Sequence, residues 1–267
     1  GIRDYKVTGV QTCALPIMMA IMNLGLATPE VLIDTTGIQG MSDIVVTARQ
    51  VRIGALVTHA RLQASADVAR HVPLLWQSVP HVAHLAIRNA GTIGGSLALA
   101  DPAAEYPAVA LALDAVIHLR GPAGERNVAA SEYFLGLYET ARASDELVVA
   151  VSFPKVQGDE RMVFDELTRR RGDYALCGLA CAFRMDGARI RSARLAYLSV
   201  GDTPVLAASA GEALAGCAPD ESAIEAAQRA LTQDLSPRGD LHGSAQSKLH
   251  WAKVLLARSI RQLGSSQ

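Results

Sequence analysis

The chain has 267 residues, half of them hydrophobic and 4% aromatic, with a net charge of −1. That length accommodates two or more small domains rather than one. The near-neutral charge gives no electrostatic reason to expect nucleic acid or an anionic membrane as partner, and apolar runs such as Ala108–Leu113 fall far short of the ~20 residues that span a bilayer.

In chain order, the loosely alternating Gln50–Val57 predicts a strand, and Thr58-His59-Ala60 then opens a helical stretch. Pro73 suits the first turn of a helix running through Trp76, and Pro80 should break it. After a glycine-rich run, Pro102–Leu113 reads as a helix capped by Asp101. Strands are expected at Ala115–Leu119, near Asn127–Ala129 after the turn at Gly121–Gly124, and at Glu146–Phe153, ended by Pro154. The polar stretch 155–160 marks a domain boundary. Beyond it come strands at Met162–Thr168, Leu176–Met185 and Arg189–Val200, the last two joined by an Asp186-Gly187 hairpin. Helices follow at Leu206–Leu214, stopped by Gly216, and at Ala223–Gln233, with Asp220 and Ser222 as candidate caps. A long helix spans Ser244–Leu263, with Leu249, Leu256, Ile260 and Leu263 on one face. The class is α+β, its second half a three-stranded antiparallel sheet layered with helices.

The four cysteines are Cys13, Cys177, Cys181 and Cys217. On one strand, Cys177 and Cys181 would stand ~13 Å apart, too far for a disulfide. An iron–sulfur cluster takes four thiolates in close sets, which this spacing does not supply. Reduced thiols in a cytoplasmic protein are expected.

Residues 88–105 read Arg-Asn-Ala-Gly-Thr-Ile-Gly-Gly-Ser-Leu-Ala-Leu-Ala-Asp-Pro-Ala-Ala-Glu. Gly91, Gly94 and Gly95 allow positive φ and close approach to a ligand. Successive amides in such a loop form an anion-binding concavity. Thr92 and Ser96 add hydroxyls, and Asp101 and Glu105 can accept hydrogen bonds from a ribose or a heterocycle. A dinucleotide phosphate site is one reading; a bulge or tight turn is the other. The run is neither a G-x-G-x-x-G fingerprint nor a P-loop. His59, His71, His81 and His84 lack the spacing of a metal set, and Ser96 is not in a G-x-S-x-G elbow. Arg88 could offset phosphate charge or pair with Asp101 or Glu105. Arg169–Arg171 is either a solvated face or part of a functional loop.

The Arg-Asn-x-Gly-Thr-Ile-Gly-Gly-Ser run followed by Ala-Asp-Pro-Ala-Ala-Glu resembles the FAD-binding medium subunit of molybdenum hydroxylases, the group of carbon monoxide dehydrogenase and xanthine dehydrogenase. The match continues through Met22-Asn23-Leu24, Pro29-Glu30, Arg52–Ala55, Thr58-His59, Asp145–Leu147, Phe153-Pro154, Arg169–Ala175 and Gly211–Leu214, covering about residues 19–263. The resemblance implies a two-subdomain FAD-binding domain of the molybdopterin dehydrogenase (PCMH-like) type over 18–154, and a small α+β domain over 161–264. It implies that Thr92, Ile93, Gly94, Gly95 and Ser96 form a pyrophosphate loop and that Glu105 contacts the cofactor, with Asp101 beside it. Val148 would lie beside the flavin, and Tyr174 would pack near the isoalloxazine. Ser96 stands where the family often has Asn, which keeps a donor.

Val7–Ile17 matches the in-frame translation of a sequencing-library adapter, so residues 1–17 are expected to be non-native on a gene truncated at its 5′ end. The family's first βαβ unit and its Ala-Gly-Gly-rich loop would then be missing, and Gly25 replaces the Arg usual after Asn-Leu. Weak or absent FAD binding by this chain is expected, although the intact parent should bind FAD. The implied role is an oxidoreductase subunit. It would carry electrons from [2Fe–2S] clusters of a small partner through FAD to an external acceptor, with substrate oxidised on a large molybdenum-cofactor subunit. A stand-alone FAD oxidase of the same fold and an assembly module that has lost its flavin are the alternatives.

Overall fold

Residues 22–26, 28 and 33–265 are described by the computed structural model; the adapter-like segment, Cys13 and Pro29-Glu30 lie outside them. The first sheet is antiparallel throughout, in the order β1 (Ile44–Val46), β2 (Gln50–Gly54), β7 (Leu147–Pro154), β3 (Val116–Gly121), β4 (Gly124–Ala129). β7 is central, and its Val148–Phe153 run is buried on both faces, hence near-continuously apolar. A small hairpin, β5 (Phe134–Gly136) and β6 (Glu139–Thr140), follows α7 (Ala130–Tyr133).

Between β2 and β3 run short helices. Thr58 caps α1 (His59–Ala64) and Ser65 caps α2 (Ala66–His71), each through its hydroxyl. Pro73 begins α3 (Pro73–Ser78), and Pro80 falls in the 3₁₀ turn Val79–His81 that ends it. Then come α4 (Leu85–Ala90), α5 (Ile93–Leu99) and α6 (Glu105–Ala112).

The second sheet has the order β11 (Val205–Leu206), β10 (Arg189–Leu198), β9 (Cys177–Asp186), β8 (Glu160–Leu167). It therefore has four strands, not the expected three. Leu206, expected to begin a helix, instead ends β11, and the helix begins at α8 (Ala208–Ala213). Asp220 caps α9 (Glu221–Asp234) by accepting from the Ala223 N–H. α10 covers Ala245–Ser265.

The period of two along β8–β10 decides how the halves meet. Val163, Leu179, Cys181, Phe183, Leu195 and Tyr197 face the core shared with α9 and α10. Phe164, Ala180, Ala196 and Leu198 join the core of the first half. α6 lies in that second interface and is buried at every position from Tyr106 to Ala112, so it lacks amphipathic periodicity. Arg194 of β10 closes its C-terminal end, donating to the Leu111 and Ala112 carbonyls at 2.8 and 2.9 Å and to Asp114 at 2.5 Å.

Candidate cofactor site

The glycine loop is held by the segment Ala55–Thr58 that joins β2 to α1. Thr58 and Thr92 form an antiparallel bridge. The Ile93 N–H donates to the Val57 carbonyl (3.1 Å), and the Gly94 N–H to the Ala55 carbonyl (2.9 Å). The Gly95 N–H donates to Thr92 Oγ1 and the Ser96 N–H to the Thr92 carbonyl, both at 3.1 Å. The amides from Ile93 to Ser96 are therefore already paired within the chain. What faces outward is Thr92 and Ser96, both partly exposed over buried Ile93, Gly94 and Gly95. The Ser96 hydroxyl has no hydrogen-bond partner among the described residues.

None of Gly91, Gly94 and Gly95 has a positive φ. Glycine is needed at two of them for close approach. A Cβ on Gly94 would overlap Ala55, and one on Gly91 would lie 2.6 Å from His59 Nε2. His59 is buried beneath the loop, with Nδ1 3.0 Å from the Tyr106 hydroxyl. Burial, helped by the charge of Arg88, pulls its pKa down to about 4, so the ring is neutral. Arg88 itself donates to the Val82 and Ala83 carbonyls at 3.0 and 2.7 Å. It fixes that turn rather than pairing with Asp101 or Glu105.

α5 carries the chain about 10 Å from the loop toward the acidic positions. It ends on left-handed Ala100. Asp101 does not cap α6. Its Oδ1 accepts from the Ala103 N–H two residues on, at 2.9 Å, and α6 starts at Glu105 without a side-chain cap. Glu105 is half-buried. Desolvation, then the charges of Glu166 and Asp101, push its pKa up to about 8.

Beyond Asp101 opens a cleft of about 610 Å³, lined among others by Asp101, Tyr138, Tyr174, Ser199, Asp240 and Lys248. Tyr138, at the tip of the β5–β6 hairpin with φ +56°, donates its hydroxyl to Asp101 Oδ2 at 3.4 Å. Tyr138 and Tyr174 are 56% and 69% exposed. Burial first, then Asp101, raises both phenol pKa values. Lys248 is buried at the cleft wall, donating to the Ser199 carbonyl (2.9 Å) and paired with Asp240 (2.6 Å). The loop bearing Tyr174 turns at Gly172 (φ +80°), where a Cβ would lie 2.8 Å from the Ala83 carbonyl. Arg169 and Arg170 both reach Asp173 at 3.5 Å.

Of the sequence-predicted residues, Asp101 and Tyr174 share this cleft, and Glu105 feels Asp101 directly. Thr92, Ile93, Gly94, Gly95 and Ser96 sit at the other end of α5. Val148 lies in the core opposite Leu119, fully buried, with no free surface. Sequence reasoning missed Tyr138 and Lys248. Tyr138 stands in a stretch without periodicity, and its signal was an exposed aromatic in a chain with few.

Residues 17–156 match the family model for the FAD binding domain in molybdopterin dehydrogenase, and residues 162–263 that for the CO dehydrogenase flavoprotein C-terminal domain. The chain belongs to the FAD-binding medium subunits of the molybdenum hydroxylases. It is 34% identical to the nicotine 6-hydroxylase medium subunit of Paenarthrobacter nicotinovorans, over 98% of this chain and 90% of that one. It is 34% identical to the carbon monoxide dehydrogenase medium chain of Afipia carboxidovorans, over 92% and 85%. Quinoline 2-oxidoreductase from Pseudomonas putida 86 superimposes with a TM-score of 0.89 at 35% identity, covering 96% of this chain and 88% of that one. These relatives are oxidoreductase subunits, and the FAD-binding domain of this medium subunit spans its first half. Its open cleft, with two exposed tyrosine rings and the Asp101 carboxylate, suits a planar heterocycle that has polar edges. The Thr92 and Ser96 hydroxyls suit a phosphate at the far end of α5. No described helix is long and apolar enough to cross a membrane.

Proposed function

We propose that this medium subunit passes electrons from the [2Fe–2S] clusters of a small partner subunit through FAD to an external acceptor, with substrate oxidised on a large molybdenum-cofactor subunit. The observation that carries the reading is the open cleft where Asp101, Tyr138 and Tyr174 meet, one short helix away from the Thr92–Ser96 loop. Bound FAD would accept electrons singly from clusters and deliver two to an acceptor.

The chain's own part is to bind and orient. Thr92 and Ser96 offer hydroxyls to the pyrophosphate, and Ile93, Gly94 and Gly95 let the backbone lie flat beneath it. Asp101 and Glu105 hydrogen-bond the cofactor's polar edge. Tyr174 packs on the ring, and Val148 backs the site from β7. The cleft stays open to solvent, which leaves an approach for the acceptor. Cluster ligation falls to a partner, since Cys177 and Cys181 are buried thiols pushed by burial up to about 12. Reduced thiols fit a cytoplasmic protein. In domain terms, 18–154 would hold the cofactor and 161–264 the far wall of the cleft.

Co-expression with the large and small subunits tests this. The expected result is a three-subunit complex in which chemically reduced clusters pass electrons to FAD. A flavin that stays oxidised while the clusters are reduced would overturn it. Turnover of substrate by this chain alone would favour a stand-alone oxidase instead.

A further inference from the structure

β10 ends at Leu198, and the next residue, Ser199, stands at φ +62°. A residue with a side chain rarely takes this left-handed conformation, whereas glycine takes it without strain. Serine is held there because its N–H, its hydroxyl and its carbonyl are all engaged. The N–H donates to the Pro102 carbonyl at 2.9 Å, and the hydroxyl to the Ala175 carbonyl at 2.6 Å. The Ser199 carbonyl accepts from Lys248 Nζ at 2.9 Å. Ser199 and Lys248 are both buried.

These three bonds reach three walls of the cleft. Pro102 directly follows Asp101, so the first bond fixes the chain beside the carboxylate that Tyr138 meets. Ala175 directly follows Tyr174, so the second holds the loop that carries the exposed ring. Lys248 lies in α10 and is paired with Asp240, so the third anchors Ser199 to the far wall. On its other side the Tyr174 loop is tied locally: the Tyr174 N–H donates to Asp173 Oδ1, and the Asp173 N–H to the Arg170 carbonyl. The hydroxyl is therefore the part of Ser199 that bears on Tyr174. It is also the part that glycine lacks. Glycine would meet the backbone geometry but could not hold Ala175, so the hydroxyl contact is what offsets the strain of a serine here.

We propose that Ser199 is a positioning residue for the flavin: its hydroxyl fixes the Tyr174 ring relative to Asp101, and so fixes how that ring stacks on the isoalloxazine. This rests on the placement of FAD in this cleft under the proposed function. Stacking of aromatic planes depends on their offset and spacing. A Tyr174 loop free to shift therefore weakens the contact without abolishing it.

Ser199→Ala and Ser199→Gly separate position from stability. Both delete the hydroxyl and keep the backbone bonds to Pro102 and Lys248. Alanine keeps the strain and glycine relieves it, so Ser199→Gly should have the higher urea midpoint. The first measurement needs no cofactor. The chain is labelled with 3-fluorotyrosine, and the fluorine resonance of Tyr174 is assigned by its loss in Tyr174→Phe. Both variants should move that resonance alike toward its position in the urea-unfolded chain. A resonance that stays in place in both overturns the proposal. A shift seen in Ser199→Ala and absent in Ser199→Gly overturns it too, because the change then follows stability and not the hydroxyl.

In the second measurement, FAD is titrated and the emission of bound flavin is taken at full occupancy. A phenol stacked on the flavin quenches that emission. Both Ser199 variants should lose part of the quenching, and Tyr174→Ala should lose more. Full quenching in both Ser199 variants, with loss in Tyr174→Ala, overturns the role of Ser199. If Tyr174→Ala changes neither quenching nor affinity, the placement of FAD in this cleft fails, and the proposal with it, even where the fluorine resonance shows Tyr174 moving.

Discussion

The Gly94 amide donates to the Ala55 carbonyl at 2.9 Å, and a Cβ on Gly94 would lie 2.6 Å from that same oxygen. Backbone meets backbone here because one side chain is missing. Gly94→Ala must push α5 off the Ala55–Val57 segment, breaking the Gly94 and Ile93 hydrogen bonds that hold the loop. The expected loss is about 3 kcal/mol of stability, typical of overpacking against a rigid neighbour, with loss of FAD binding. Urea unfolding measures the first and flavin fluorescence the second.

Glu105 gives a pH dependence of opposite sign to an ordinary paired carboxylate. Its folded pKa of about 8 lies above the ordinary 4.5. The stability tied to its proton is complete below the unfolded value, falls as pH rises toward the folded one, and changes no further above it. Glu105→Gln should therefore raise the melting temperature above about pH 8 and leave it nearly unchanged near pH 4.5. Thermal unfolding across that range checks the sign.

His59 works the other way. Its pKa of about 4 lies below the ordinary 6.5, so stability is complete above the unfolded value and drains away as pH falls toward the folded one. Tyr106→Phe removes the hydroxyl 3.0 Å from His59 Nδ1 and leaves that buried nitrogen short of a partner. A cost of about 1–2 kcal/mol is expected, read by denaturant unfolding at neutral pH.

Arg194 joins the two halves through the end of α6. Arg194→Met keeps the aliphatic stem and deletes the donors to Leu111, Ala112 and Asp114. The expected destabilisation is about 2 kcal/mol, from bonds to a charged group and a helix C-terminus. The urea midpoint should fall with the slope unchanged.

Where neighbouring residues decide a conformation, the sequence was a good guide. Asp186-Gly187 makes its hairpin with Gly187 at φ +57°, and Pro73 opens its helix as expected. Thr58 and Asp220 cap as their types suggest. Where a distant element decides, the sequence said less. α6 was expected to start at Pro102 because Asp101 is a good cap. The side chain instead turns onto Ala103, and burial on all sides erases the periodicity that would have marked the true start. The glycine loop was legible as a place of close approach. That Ala55 and Val57 take its amides is a tertiary fact, invisible in the run itself. Tyr138 was silent for the same reason: it meets Asp101, a partner far away in sequence.

Tyr174 and Ser96 lie at opposite ends of the site, and equilibrium titration of FAD, followed by quenching of flavin fluorescence, probes both at once. Weak but saturable binding of one FAD per chain is expected, weakened further by about tenfold in Ser96→Ala and in Tyr174→Ala alike, equivalent to about 1.4 kcal/mol each. Binding that neither substitution alters would contradict the assignment of this cleft and this loop to the cofactor.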